Sequence, residues 1–329
     1  MRGWTFVLSG VWWVLCAGSS TVLAQDDSTR AGDDASLSEA TSKELGPLPD
    51  VGPEPVTRVE WDPRWRTAGL WDAVIVSTGA IIILSDDELE LGGDSSDWKG
   101  PILWDDAVRD ALRLEVSGDR ETAGTISDLM MVGSLVHNIL VDNLIVAWVI
   151  HGERKLAWQM SVMNAEAYAI ALSLTSIVKA ATARERPLVE ECESDPGYSV
   201  DCDFLDRNRS FFSGHSSATA VGAGLLCAHH LNVPLYDDGP LDVGTCIMGI
   251  GLTMATGAMR IASDNHWATD VTAGHLVGFA SGFLVPTLLY YNYYDDDDER
   301  TWNRQTLGAT VLPAISERQV GVRLVGWLP

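Results

Sequence analysis

Basic residues are scarce in this chain. Lys and Arg number 22 against 46 Asp and Glu, a formal charge of −24 over 329 residues. A protein that tracks a phosphate backbone needs a basic face, so nucleic acid is excluded as a partner. Cysteine is sparse too, five in all, and no CxxC or His/Cys spacing of the zinc-binding kind occurs, so no metal site is expected. Internal repeats are missing. Charge itself is absent from three long runs: 216–236, 243–259 and 271–294 contain no Asp, Glu, Lys or Arg.

What is present begins with a leader-like segment. Arg2 precedes an apolar stretch from Trp4 to Cys16, and Val22-Leu23-Ala24 then supplies small residues before Gln25. That order is the layout of a secretory signal peptide, expected over 1–24, with an uncleaved anchor as the alternative. Residues 25–56 are rich in Asp, Ser, Glu, Gly and Pro and cannot bury enough apolar surface to order, so they read as an acidic linker. A helical region over 57–125, a core over 126–294 and an acidic tail over 295–329 complete the expected organisation. Cys192, Cys202, Cys227 and Cys246 remain after the leader. An even count in an exported chain suggests disulfides. Cys192 with Cys202 is the simplest local pair, leaving Cys227 with Cys246 as a second pair or as buried thiols.

The core reads as all-α, a helical bundle. Candidate helices run over 68–84, 104–116, 126–150, 158–181, 216–231, 242–259 and 267–290, too long and too unbroken for strands. Pro101, Pro187, Pro234 and Pro240 fall between them, where helix breakers belong. A short C-terminal β-hairpin is expected from 309–315 and 319–327. The charge-free runs are long enough, or nearly so, to cross a membrane. Against this, 126–150 carries Asp128, His137, Asn138, Asp142 and Asn143, and 158–181 carries Glu166, costly groups in hydrocarbon. Parity adds a test: a span at 68–84 after a cleaved leader would put Lys179 and the cysteine loop in the cytoplasm. Either 68–84 lies along the surface or the domain is a soluble helical core.

Three stretches carry chemistry. Lys179 and Arg186, seven positions apart before Pro187, would share nearly one face of a helix end. Ser213-Gly214-His215 opens an apolar helix and offers amides and a hydroxyl to an anion, although Ser213 also suits a plain N-cap. Arg260, His266 and Asp270 form the third. An Asp four residues after a His shares its face if the helix begins near the His, and can fix its tautomer. Arg184, Arg207 and Arg209 flank these and read as solvated loop residues. His229 and His230 read as core, and His275 as a weak candidate near the site.

Together, Lys-x6-Arg-Pro, Ser-Gly-His and Arg-x5-His-x3-Asp in this order resemble the type 2 phosphatidic acid phosphatase and vanadium haloperoxidase superfamily, over about 126–290. The resemblance implies a phosphatase in which Lys179, Arg186 and Arg260 bind phosphate with Ser213 and the Gly214 amide. His266 would attack phosphorus, oriented by Asp270, and His215 would protonate the leaving alcohol. No cofactor is implied, and vanadate is expected to inhibit as a phosphate mimic. The implied substrate is a phosphorylated lipid or a small phosphoester, met by an exported protein in the periplasm or cell membrane, with an extracytoplasmic site. Alternatives are a soluble acid phosphatase of broad specificity, a vanadium-dependent haloperoxidase and an inactive phosphate-binding module. The chain departs from the family pattern at Phe212, where Pro is usual, at Met259, where Ser is usual, and near Ala183, where a Gly is common.

Overall fold

The longest uninterrupted burial belongs to the helix that opens with Gly214. In the computed structural model, which describes residues 58–89, 98–195, 197–198, 202, 206–236, 239–294, 301–302, 309–316 and 319–326, every residue from Ser216 to His230 is buried. Such a helix, apolar and small-residue on all sides, must be enclosed by others. The leader at 1–24, the linker at 25–56 and the acidic run at 295–298 lie outside the described residues.

In chain order the helices are α1 (Leu70–Leu89), α2 (Asp105–Leu112), α3 (Ser117–Val136), α4 (Arg154–Thr182), α5 (Leu188–Ser194), α6 (Gly214–Asn232), α7 (Pro240–Ala262) and α8 (Ala268–Pro286). Two π-helical segments continue α3 and α8, at His137–Ile150 and Thr287–Tyr291. Around α6 stand α3, α4, α7 and α8. The expected hairpin is an antiparallel pair, Ala309–Ser316 with Gln319–Gly326, in which Ala309 is paired with Gly326 and Ser316 with Gln319.

α8 reaches α6 through glycine. A Cβ at Gly278 or Gly282 would stand 2.2 Å from the Ser217 carbonyl oxygen or 2.1 Å from that of Val221. Small residues every four positions let two helix backbones meet in this way. The contact sets the start of α8 beside the start of α6, so the second and third motifs share one end of the bundle.

Helix α1 packs against α4 on one side and leaves Leu70, Trp71, Ile81 and Leu84 exposed on the other. The Ala68 amide donates to Gln159 at 2.8 Å, and a Cβ on Gly79 would touch Ala169. Residue numbers rise together, so α1 runs parallel to α4. Tyr290 ties the first turn of α1 to α4, its hydroxyl 2.8 Å from Asp72 and 2.7 Å from Glu166.

Four helical stretches are long and apolar enough to cross a membrane: Ser117–Ile150, Arg154–Thr182, Pro240–Ala262 and Ala268–Tyr291. Large apolar side chains lie exposed along them, among them Leu129, Val149, Trp158, Ile247, Met254 and Leu276. The polar residues that argued against spans point inward. The π-helical segment turns Asn138, Asp142 and Asn143 into the bundle, and Glu166 is buried with Tyr290. Intramembrane polar groups characteristically face protein in this manner.

Both cysteine pairs are disulfides. Cys192–Cys202 closes the loop after α5, and Cys227–Cys246 joins α6 to α7. His229 and His230 are core, as expected: His229 bonds Tyr291 and Asn164, and His230 bonds Asp242.

Candidate active site

Helix α4 ends earlier than its sequence spacing suggests. Its last residue is Thr182, and Ala183 takes the left-handed conformation, φ +42°. Lys179 therefore sits in the last turn, while Arg186 comes from the loop beyond. They are not on one helical face. Arg186 is held instead by the Asp206 carbonyl and carboxylate at 3.0 and 2.9 Å, and by Asn265 at 3.3 Å.

Arg184 overturns the expectation of a solvated loop residue. It is fully buried between two carboxylates, 2.7 Å from Asp105 and 2.6 Å from Asp270. Its guanidinium lies 4.5 Å from the Trp98 ring centroid. A planar fork suits this site, because it serves two carboxylates and an aromatic face together. Arg207 and Arg209 pair with Glu193 and Asp206, and His275 packs against Gly257 of α7.

The second motif serves the helix end. Ser213 is the N-cap of α6, its hydroxyl accepting from the Ser216 amide at 3.4 Å, and its own amide donates to the Asp270 carbonyl at 3.1 Å. A Cβ on Gly214 would lie 3.7 Å from Lys179 Nζ, so the start of α6 adjoins that ammonium. His215 turns Nε2 to Asp128 of α3 at 2.7 Å.

In the third motif, Arg260 occupies the last turn of α7 and donates to the Ser127 hydroxyl at 3.3 Å. The chain turns at Asp264, whose φ is +59° and whose carboxylate receives Arg109 at 2.6 and 2.7 Å. That pair fixes the turn carrying His266. α8 begins at Ala268, two residues past His266, and Asp270 caps the Trp267 amide at 2.9 Å. Asp270 also receives Ser210 at 2.5 Å and Arg184. His266 Nδ1 stands 3.7 Å from Asp270 Oδ2, a close approach rather than a hydrogen bond.

Lys179, Arg186, His215, Arg260 and His266 line one cavity of about 470 Å³. Ser213, Gly214 and Asp270 are not among its lining residues. Residues passed over in the sequence join it: Arg120, Glu121 and Asp128 from α3, Asp206, and Asn265 from the α7–α8 turn. Asp128 did carry a signal, as one of two acids in the largely apolar stretch 126–150. Burial, then the charges of Arg186, Arg260, Lys179 and His215, hold the His266 imidazole well below the ordinary histidine range. Near neutral pH it is therefore an uncharged base. Chemically, the cavity offers convergent cations for an anion, a neutral imidazole and a second imidazole paired to a carboxylate.

Among solved structures, the chain is similar to a transmembrane PAP2-type phosphatidylglycerolphosphate phosphatase from Bacillus subtilis. Identity is 16%, covering 66% of this chain and 94% of that one, with a TM-score of 0.41. No curated protein matches the chain. Residues 161–294 match the family model of the PAP2 superfamily. That segment contains all three motifs, with Lys179, Arg186, Arg260, His215 and His266 among its residues, and is the part of this chain that is similar to the PAP2 superfamily.

Proposed function

We propose that the protein is a phosphomonoesterase that hydrolyses the phosphate esters of membrane lipids through a phosphohistidine at His266. The observation that carries this reading is the convergence of Lys179, Arg186 and Arg260 with His215 and His266 on one cavity at the end of an apolar bundle. Guanidinium forks match phosphate oxygens bidentately. Cations placed in advance stabilise the charge that spreads over the equatorial oxygens during transfer.

With Nδ1 facing Asp270, the other ring nitrogen of His266 is left for phosphorus. Attack forms an N–P bond as the P–O bond to the alcohol breaks, and His215 gives the leaving oxygen a proton. Water then attacks phosphorus, His215 takes a proton from it, and phosphate leaves. Asp270 steadies the imidazole, and Arg184 with Ser210 holds Asp270. Ser213 contributes by capping α6, whose first amides point toward the anion.

Exposed aliphatic side chains on the candidate spans support a bilayer as the surroundings and a lipid as the substrate. The Cys192–Cys202 bond follows Arg186 in the chain and supports an oxidising compartment for that loop.

The test is phosphate release by purified protein from phosphatidic acid and from p-nitrophenyl phosphate, wild type beside His266→Ala. The expected result is activity lost in the variant, blocked by vanadate, and higher on the lipid. Undiminished release by His266→Ala would remove the nucleophile assignment. Preference for the small ester by protein extracted without detergent would replace the lipid reading with a soluble acid phosphatase.

A further inference from the structure

His215 stands among cations. Lys179 from α4, Arg186 from the following loop and Arg260 from α7 line the same cavity, with His266 beside them. Each cation repels the extra proton that an acid must hold when the leaving oxygen needs it. Among the described residues, one carboxylate makes an ion-pair contact with the ring: Asp128 Oδ1, 2.7 Å from Nε2. Asp206, the other acid on that side, is engaged by Arg186 and Arg209. Glu121 also lines the cavity, about two turns before Asp128 on α3.

Asp128 lies outside the segment matched by the family model, 161–294, so the three motifs do not include it. Its place is fixed from two sides. The same oxygen is 3.8 Å from Arg260, and the neighbouring Ser127 hydroxyl accepts from Arg260 at 3.3 Å. Helix α3 thus brings a carboxylate to the one imidazole of the cavity that is to act as an acid.

We propose that Asp128 is a positioning residue for phosphoryl transfer, holding the His215 ring through Nε2–H and supplying the negative charge that lets it carry its proton to the leaving oxygen. This rests on the reading of His215 given above. Held through Nε2–H, the ring donates from Nδ1. The electron pair of the breaking P–O bond goes to the alcohol oxygen, the His215 proton follows it there, and phosphorus becomes bonded to His266. Asp128 gains and loses no bond to substrate.

The experiment compares full-length wild type with Asp128→Asn and Asp128→Glu in detergent, reading kcat/KM on p-nitrophenyl phosphate and on an alkyl phosphate. Nitrophenolate leaves without a proton, whereas an alkoxide does not. Loss of proton donation is therefore expected to cost roughly 100-fold on the alkyl ester and far less on the nitrophenyl ester. Asp128→Glu should recover most of the alkyl activity. Asp128 is 58% exposed, so its replacement leaves the core packing intact. Equal loss on both esters, or no loss on either, would overturn this proposal alone. A wild type inactive on both esters would overturn the phosphatase reading, and this proposal with it.

Discussion

Gly278 of α8 lies against the backbone of α6 so closely that a Cβ would stand 2.2 Å from the carbonyl oxygen of Ser217. Ser217 is two residues past His215, and Gly278 is two turns past Asp270. This one contact therefore sets the distance between two motifs.

Gly278→Ala is expected to force the two backbones apart, costing about 1–3 kcal/mol of stability and most of the activity. Gly244 on α7 has open space around its Cβ position, so Gly244→Ala serves as the control and should be neutral or slightly stabilising. Thermal unfolding in detergent reads both. Equal behaviour of the two variants would mean that the close approach does not constrain the bundle.

Arg184→Met removes the cation between Asp105 and Asp270, whose side chains are as buried as that of Arg184 itself. Breaking a buried pair leaves uncompensated charge and costs about 3–5 kcal/mol. Chemical denaturation should report that loss. Arg184→Lys is expected to recover only part of it, since a single ammonium cannot serve both carboxylates in the forked geometry.

Ala183→Gly is expected to stabilise the protein by about 1 kcal/mol, because φ at Ala183 is +42° and a Cβ is strained in the left-handed region. Ala181→Gly, inside the same helix, should instead destabilise by about 1 kcal/mol. Opposite signs in unfolding midpoints test this.

The pH dependence follows from His266. In the proposed mechanism its neutral form attacks, and its pKa is lowered by burial and by the surrounding cations. Activity limited by this group should persist as pH falls through the ordinary histidine range and be lost only well below it. Arg260→Gln removes one repelling cation, so the acid limb of kcat/KM should move to higher pH. An unmoved limb would mean that another group sets it.

Helix α1 parallel to α4 makes a topological prediction. Lys155 lies at the start of α4 and Asp110 on α2, at opposite ends of the bundle. Single cysteines at these two positions should react with an impermeant thiol reagent from opposite sides of a sealed vesicle. Labelling of both from one side would show a bundle that does not cross the bilayer.

The all-helical class, the helix order and the Cys192–Cys202 pairing were legible in the sequence because they depend on local properties. Long apolar runs, prolines between them and a ten-residue cysteine spacing need no knowledge of distant neighbours. The motifs were legible for a similar reason: charged and histidine residues stand out against apolar helices. Their local geometry was not. The Lys179 to Arg186 spacing suggests one helical face, but Ala183 ends the helix first. The His266 to Asp270 spacing suggests another, but α8 begins after His266 and Asp270 caps it.

By itself, then, the sequence determined which side chains could do chemistry and that apolar helices would carry them. Tertiary structure decided which helix is central, that Arg184 is a buried linchpin and that Asp128 reaches His215 across 87 residues of chain. It also decided that Asn138, Asp142 and Glu166 face the interior of the bundle. The reason is physical. Composition and period report what a residue prefers, whereas the partner of a buried charge is fixed only when distant helices meet.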